Sequence, residues 1–203
     1  MIEILGIGGS PRKDGNSDIL LDRVLQGARE SGASTESIRL RDYSFQSCIA
    51  CERCRRDKRC TGLHDDMQSI YPVVERSRGI VLVSPIHSYT VSALTKAFLD
   101  RLYCYYDFTE PRPGLVASRL AGQGRKAVIV AVGEQDTYEL SGMDSTLVIL
   151  RRNLDILGFD IIGELPVLGT FERGAVLEQP DVLKMAGEMG AQLVRALTAA
   201  SPS

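Results

Sequence analysis

Short apolar runs alternate with longer segments of helical periodicity along most of the chain, and that alternation restricts the fold more than any other feature. Ile2 to Ile7 is a short apolar run ending in glycines, which reads as a buried strand. Leu20, Leu21, Val24, Leu25 and Ala28 then recur at helical spacing, with Asn16 or Ser17 as the expected cap and Gly32 as the stop. Ser34 to Leu40 reads as a second, half-polar strand. Asp65 and Asp66 open a helical pattern through Met67, Ile70, Val73 and Val74, where carboxylates in a first turn suit the helix dipole. Pro72 is expected to kink that helix or shift its start. Gly79 to Ser84 is the clearest strand, and Val91, Leu94, Phe98, Leu102 and Tyr105 mark a long helix after it. Phe108 to Gly124, with Pro111, Pro113 and Gly114, reads as a loop. Lys126 to Val132 is a fourth strand, and Met143, Leu147, Leu150, Leu154 and Leu157 mark a helix. Phe159 to Leu168 is a fifth strand, in which Gly163 and Pro166 point to an irregular or edge position. Val182, Ala186, Met189, Leu193 and Leu197 mark the last helix, and the tail from Ala199 is expected to fray.

Five strands alternating with five helices call for a parallel sheet with right-handed crossovers and helices on both faces. The expectation is a single domain over residues 1–203, with 41–64 as a cysteine-rich loop that has no clear period. Ligands of such sheets sit beyond the carboxyl ends of the strands. The loops after strands 1, 3 and 4 are therefore the candidate sites, joined by the cysteine loop after strand 2.

Charge and composition exclude several classes. At 44% hydrophobic and 25% charged residues, the chain is neither a disordered, a collagen-like nor a coiled-coil sequence. A balance of 24 Lys+Arg against 26 Asp+Glu lacks the basic surplus of a nucleic-acid binder. No apolar run approaches the roughly 18 residues that span a bilayer, so no membrane partner is expected. No basic residue precedes the opening apolar stretch, so a secretory signal is not expected and the expected location is cytoplasmic.

The first strand runs into Gly8-Gly9-Ser10-Pro11-Arg12-Lys13-Asp14-Gly15-Asn16-Ser17. Pro11 stands where a dinucleotide fingerprint needs its third glycine, and no window fits a P-loop. What remains is a hydroxyl-rich loop in front of a helix N-terminus, a good place for an anion. Ser10, Asn16 and Ser17 can donate and Arg12 can neutralise charge; the alternative is an ordinary strand-to-helix turn with an Asn cap. With one glycine-lined approach, a single phosphate fits better than a pyrophosphate.

Four of the five cysteines form Cys48-x2-Cys51-x2-Cys54-x5-Cys60. In a reducing compartment such a cluster is metal-binding or redox-active rather than a disulfide staple. The run of x2 spacings favours an iron–sulfur centre over zinc, which more often uses two separated pairs. Thr61, not Pro, follows Cys60, so the bacterial ferredoxin run is not matched; zinc and metal-free thiols stay open. Arg53, Arg55, Arg56, Lys58 and Arg59 outnumber Glu52 and Asp57 here. That surplus would stabilise an anionic cluster or attract an acidic electron carrier, or it is simply a solvated loop. Cys104 reads as a buried structural thiol, and His64 as a capping or surface residue.

Gly9-Ser10-Pro11-Arg12-x-x-Gly15-Asn16-Ser17 resembles the phosphate loop of the flavodoxin-like NADPH-dependent FMN reductase family. Ser84-Pro85-Ile86-His87-Ser88-Tyr89 is similar to the family's second FMN loop, and the helix with Lys96, Phe98, Asp100 and Arg101 agrees. The order and spacing of these motifs match over residues 1 to 195. The cysteine spacing followed by Asp65-Asp66-Met67 resembles the iron–sulfur flavoprotein branch.

The resemblance implies a flavodoxin-like α/β fold, with a five-stranded parallel sheet in the order 2-1-3-4-5. It implies FMN as cofactor, with a 4Fe-4S cluster on Cys48, Cys51, Cys54 and Cys60 as a second. Ser10, Arg12, Asn16 and Ser17 would hold the flavin phosphate. Pro85, Ile86, His87, Ser88 and Tyr89 would lie against the ring, with Gly133 and Glu134 approaching from the other side. The chain has no Trp, so ring stacking must fall to Tyr or Phe, and Tyr89 is nearest. His87 stands where the family often has an aromatic residue; it reads as a surface histidine or as a catalytic proton carrier.

The implied activity is an FMN-dependent oxidoreductase moving electrons between NAD(P)H, or a reduced ferredoxin-type carrier, and a small acceptor. One alternative is a dehydrogenase of a small cyclic metabolite with His87 as base. Another is a non-enzymatic flavodoxin-like carrier, against which the near-neutral charge argues. A zinc-stabilised binding module is a further one. The resemblance also implies a homodimer or homotetramer, with Tyr103, Tyr105 and Tyr106 serving packing or a subunit interface.

Overall fold

The computed structural model describes residues 3–111 and 114–199, so the start of the first expected strand, Pro113 and the tail beyond residue 199 lie outside the described residues. In chain order the elements are β1 (Glu3–Gly8), α1 (Asn16–Glu30), β2 (Ser34–Arg39), a short α2 (Arg53–Asp57), α3 (Met67–Arg76), β3 (Gly79–His87), β4 (Thr90–Val91) and α4 (Ala93–Arg101). They continue with β5 (Tyr106–Phe108), β6 (Val116–Ser118), β7 (Arg125–Val132), α5 (Met143–Ile156), β8 (Phe159–Val167) and α6 (Pro180–Ala199). The parallel strands run in the order β2-β1-β3-β7-β8. With β7 and β8 as the fourth and fifth long strands, this is the expected flavodoxin-like 2-1-3-4-5.

The apolar runs of β1, β3 and β7 are continuous because both faces of the sheet are covered. Period-two alternation splits each run between two cores. Leu5, Ile7, Ile80, Leu82, Ala127 and Ile129 face α3, α4 and α5. Ile4, Val81, Val83, Val128 and Val130 face α1 and α6. The irregularity expected of the fifth strand is present: β8 is an edge strand, and its register against β7 shifts between Ala127 and Val128.

On the second face, α1 and α6 meet backbone to backbone. A Cβ on Gly190 would lie 1.9 Å from the Val24 carbonyl oxygen, and one on Gly27 would lie 2.0 Å from the Gly187 carbonyl oxygen. Only glycine permits this approach.

Several expectations need correction. The stretch Phe108 to Gly124 contains a hairpin, in which β5 pairs antiparallel with β6 through Tyr106–Ser118 and Phe108–Val116. The long helix expected through Tyr105 ends at Arg101 and continues as a 3₁₀ turn, Leu102–Tyr105. Tyr105 is not available to a subunit interface: it is 2% exposed, packs edge-on against Tyr71 and donates to the Tyr71 carbonyl at 3.0 Å. Pro72 lies inside α3 without moving its start. Pro72 and Gln68 are both exposed, so the carbonyl that loses its partner is on the solvent side. Among the described residues no helix is long and apolar enough to cross a membrane.

A buried knot of hydroxyls joins the end of β3, the start of α4 and the first loop. Thr95 Oγ1 donates to Ser84 Oγ at 3.0 Å and lies 3.0 Å from Ser92 Oγ; Ser84 Oγ accepts the Ser92 N–H at 3.2 Å. Ser92 Oγ donates to the Gly9 carbonyl at 2.6 Å and accepts the Thr95 N–H at 3.2 Å, capping α4. The Gly9 N–H donates to the Val83 carbonyl at 2.8 Å. A Cβ on Gly9 would lie 1.8 Å from Thr95 Oγ1, so the loop reaches the knot only as glycine.

Two outcomes follow, both readable as midpoint shifts in urea unfolding at unchanged m. Gly190→Ala destabilises by about 1–3 kcal/mol, because forced separation of α1 and α6 outweighs the better helix propensity of Ala. Thr95→Val keeps the shape but strips the donor from the buried Ser84 hydroxyl and a polar neighbour from Ser92, at a cost of about 1–3 kcal/mol.

Candidate functional site

The first loop, the end of β3 and the residues after β7 and β8 converge on one cleft of about 240 Å³ at the carboxyl edge of the sheet. Ser10, Arg12, Asn16, Ser17, Pro85, Ile86, His87 and Glu134 line it, and so do Val132, Thr170 and Phe171. Gly15 is the N-cap of α1 and no side chain caps this helix. First-turn N–H groups and the dipole therefore face the loop, which suits an anion. Ser10 is buried, with its Oγ accepting the Arg12 N–H at 3.1 Å, which shapes the turn.

Asn16 does something other than cap α1 or present its amide to a ligand. Its Nδ2 donates to the carbonyls of Thr170 at 3.0 Å and Glu172 at 2.8 Å, and its Oδ1 accepts the Val176 N–H at 3.1 Å. Arg12 Nη1 donates to the Phe171 carbonyl at 2.8 Å. Thr170 donates through N and Oγ1 to the Gly133 carbonyl at 3.1 and 3.0 Å. The segment after β8 is thus tied to the loops after β1 and β7. Gly133 stands behind the cleft lining, where a Cβ would lie 3.1 Å from Ile86 Cδ1.

Ser88 and Tyr89 are outside the cleft lining. They form the two-residue tip of a hairpin in which His87 pairs with Thr90. Their φ angles of 48° and 67° are those a type I′ turn needs and that these residue types resist. The tip rests on the start of α5: Ser145 Oγ donates to the Tyr89 carbonyl, and Gly142 leaves room for the Tyr89 backbone. The Tyr89 side chain is exposed, and the aromatic ring that lines the cleft is Phe171. His87 is exposed at the cleft.

Beneath the first loop lies a charge cluster that sequence reasoning missed. Asp18 is 5% exposed and pairs with Arg41 at 2.8 Å and Arg39 at 3.4 Å, while its Oδ2 accepts the Asp14 N–H at 2.9 Å. Arg41 also donates to the carbonyls of Ser10 and Arg12, each at 3.3 Å. Burial alone would lower the Arg41 guanidinium, but its hydrogen bond and ion pair with Asp18 outweigh that and raise it. No local pattern marks Asp18, because its charged partners come from the end of β2 and the turn that follows it. Thr170 and Phe171 likewise sit in a stretch with no motif.

A second pocket of about 360 Å³ is lined by Cys48, Cys51, Cys54 and Cys60, together with Arg101, Tyr103 and Cys104. Among the described residues no three His, Cys, Asp or Glu side chains are grouped closely enough to hold a metal ion. The thiols share a pocket without forming a finished cage. The backbone between them is unusual. Ala50, Glu52 and Lys58 are left-handed non-glycine residues with φ of 52°, 57° and 55°, one in each interval between successive cysteines. Such strain collects at ligand clamps. A Cβ on Gly62 would lie 2.4 Å from Cys51 Sγ. Burial and the charges of Cys60, Cys48 and Cys51 push the Cys54 thiol up. Cys104 is buried as expected, and burial followed by the Cys60 charge pushes its thiol up to about 12.

The basic run around the thiols is less cationic than it reads. Arg55 pairs with Glu110 at 2.5 Å and lies 4.8 Å from the Phe108 ring centroid; Arg56 pairs with Asp57 at 2.7 Å, and Lys58 with Asp107. The β5–β6 hairpin supplies two of these carboxylates, Asp107 in β5 and Glu110 after it, and so ties itself to the cysteine segment.

Over 100 residues the chain is 36% identical to an iron–sulfur flavoprotein of Methanocaldococcus jannaschii, covering 49% of this chain and 51% of that protein. It is 28% identical over 195 residues to an iron–sulfur flavoprotein of Archaeoglobus fulgidus, covering 96% of this chain and 80% of that one. The fold superposes on an NAD(P)H:quinone oxidoreductase from Methanothermobacter marburgensis with a TM-score of 0.72 at 17% identity, over 95% of this chain and 98% of that one. The family described as NADPH-dependent FMN reductase matches residues 2–161, and the chain belongs to that family.

Proposed function

We propose that this chain is an FMN-dependent oxidoreductase that binds the flavin in the cleft beyond β1, β3 and β7 and an iron–sulfur cluster in the cysteine pocket. The observation that carries the reading is the convergence of the two motif-bearing segments, after β1 and at the end of β3, with the residues after β7 on one cleft. In this reading the first-turn amides of α1 and the Ser10 and Ser17 hydroxyls receive the phosphate, and Arg12 neutralises it. Asn16 acts through the segment after β8, holding Thr170 and Phe171 against the same cleft. Pro85 and Ile86 offer backbone and apolar surface to the ring, and Phe171 offers an aromatic face. His87, at the cleft, can pass a proton to an incoming substrate, and Glu134 lines the same cleft. Bound there, FMN supplies hydride or single-electron exchange. Cys48, Cys51, Cys54 and Cys60 would hold the cluster, which supplies single-electron exchange. The electron donor is NAD(P)H or a reduced carrier, and the acceptor is a small molecule.

Anaerobic purification followed by absorbance and by flavin, iron and sulfide analysis tests this reading. The expected result is flavin with iron and sulfide in equal amounts. Flavin without iron removes the cluster; a colourless protein that does not take up added FMN removes the whole reading. Arg12→Ala should weaken FMN by about 10- to 100-fold, the loss of one charge-assisted contact, while leaving riboflavin affinity within about twofold. Equal weakening of both ligands in a flavin-fluorescence titration would place Arg12 away from the phosphate.

A further inference from the structure

Arg101 ends α4 and is 2% exposed, deeper than any other cation near the cysteines. Its guanidinium grips Asp65 through Nη1 at 2.6 Å and Nη2 at 3.0 Å. Nη1 also donates to the Gln46 carbonyl at 2.8 Å, and Nη2 donates to Cys60 Sγ at 3.5 Å. Its Nε is buried with no partner. Asp65 in turn accepts the backbone N–H groups of Gln46 at 3.1 Å and Met67 at 3.2 Å. One ion pair therefore ties both ends of the cysteine segment, residue 46 before it and residue 65 after it, to the end of α4. Among the described residues lining the cysteine pocket, Arg101 is the only cation. Three of the five basic residues at 53–59 are instead paired with Glu110, Asp57 and Asp107.

We propose that Arg101 is a positioning residue that presents Cys60 as the fourth ligand of the pocket's redox centre and raises that centre's reduction potential, with Asp65 setting how much of its charge the centre feels. The inference rests on the iron–sulfur reading above. A centre held by four thiolates is anionic, and each electron it gains adds negative charge. A buried cation donating an N–H to one ligand sulfur stabilises the reduced form, and removing water strengthens that effect. The carboxylate on the far side of the guanidinium works against it. Cys60 follows the longest cysteine interval, so its place is the least determined by spacing and the most dependent on an outside partner.

The two partners should act with opposite sign. Dithionite titration of anaerobically purified protein with redox mediators at a measured electrode potential, followed by absorbance and electron paramagnetic resonance, reads the midpoint potential. Arg101→Gln should move it to more negative values, and Asp65→Asn, which removes the charge but keeps an acceptor oxygen for one of the two backbone N–H groups, to more positive values. Arg101→Lys should stay near the parent protein. Iron lost from Arg101→Gln but retained by Arg101→Lys also supports the assignment. Shifts of the same sign, no shift with iron retained, or iron lost from all three variants would mean a structural role only and overturn it. A parent protein that purifies with flavin but no iron overturns the cluster reading and this inference together. An iron-replete parent with unshifted variants overturns this inference alone.

Discussion

The buried hydroxyl knot of Ser84, Ser92 and Thr95 is the constraint on which the rest of the cleft depends. A hydroxyl taken out of water is costly unless it is paired, and here the three pair with one another and with the backbone. The Ser92–Gly9 bond extends the knot to the first loop. Three chain segments far apart in sequence thereby acquire one relative position. The glycine at position 9 is a consequence of this packing, and so is the direction in which the loop leaves β1.

Charge organises the same loop from below. Asp18 gathers Arg39, Arg41 and the Asp14 amide, so two guanidiniums beneath the loop are already compensated. Arg12 donates to the Phe171 carbonyl and lines the mouth of the cleft. The cysteine pocket follows the same arrangement in a deeper setting. Surface cations meet carboxylates from the β5–β6 hairpin, and the buried Arg101 meets Asp65. For Asp65, burial alone would raise the carboxyl, and the bonds from Arg101 and the Gln46 N–H hold it below its ordinary range.

Much of this was legible in the residues. The continuous apolar runs of β3 and β7 announce strands buried on both faces, and the punctuation around Gly8 to Ser17 announces a strand-to-helix loop. The cysteine spacing marks its pocket. What could not be read depends on distant partners. Asn16 looks like a cap by every local rule, yet its partners lie about 155 residues away. Phe171 has no motif around it and reaches the cleft only because Asn16 and Arg12 bind the carbonyls beside it. Tyr89 was the nearest aromatic by sequence, but a left-handed turn points the chain toward α5. The β5–β6 hairpin escaped because three-residue strands carry too little alternation to separate from a proline-containing loop.

The glycine contact between α1 and α6 also bears on the order in which the molecule assembles. These helices make backbone contact across a separation of about 160 residues, and β1 and α1 emerge early from a ribosome while α6 emerges late. Until α6 arrives, Leu20, Val24 and Ala28 have no helix to lie against, and one face of the nascent sheet stays half covered. Closing so long a loop is slow, and an uncovered apolar face is the surface through which incomplete chains associate. The tightest helix contact in the finished protein is therefore the last to become available during synthesis, and the early half must remain soluble without it.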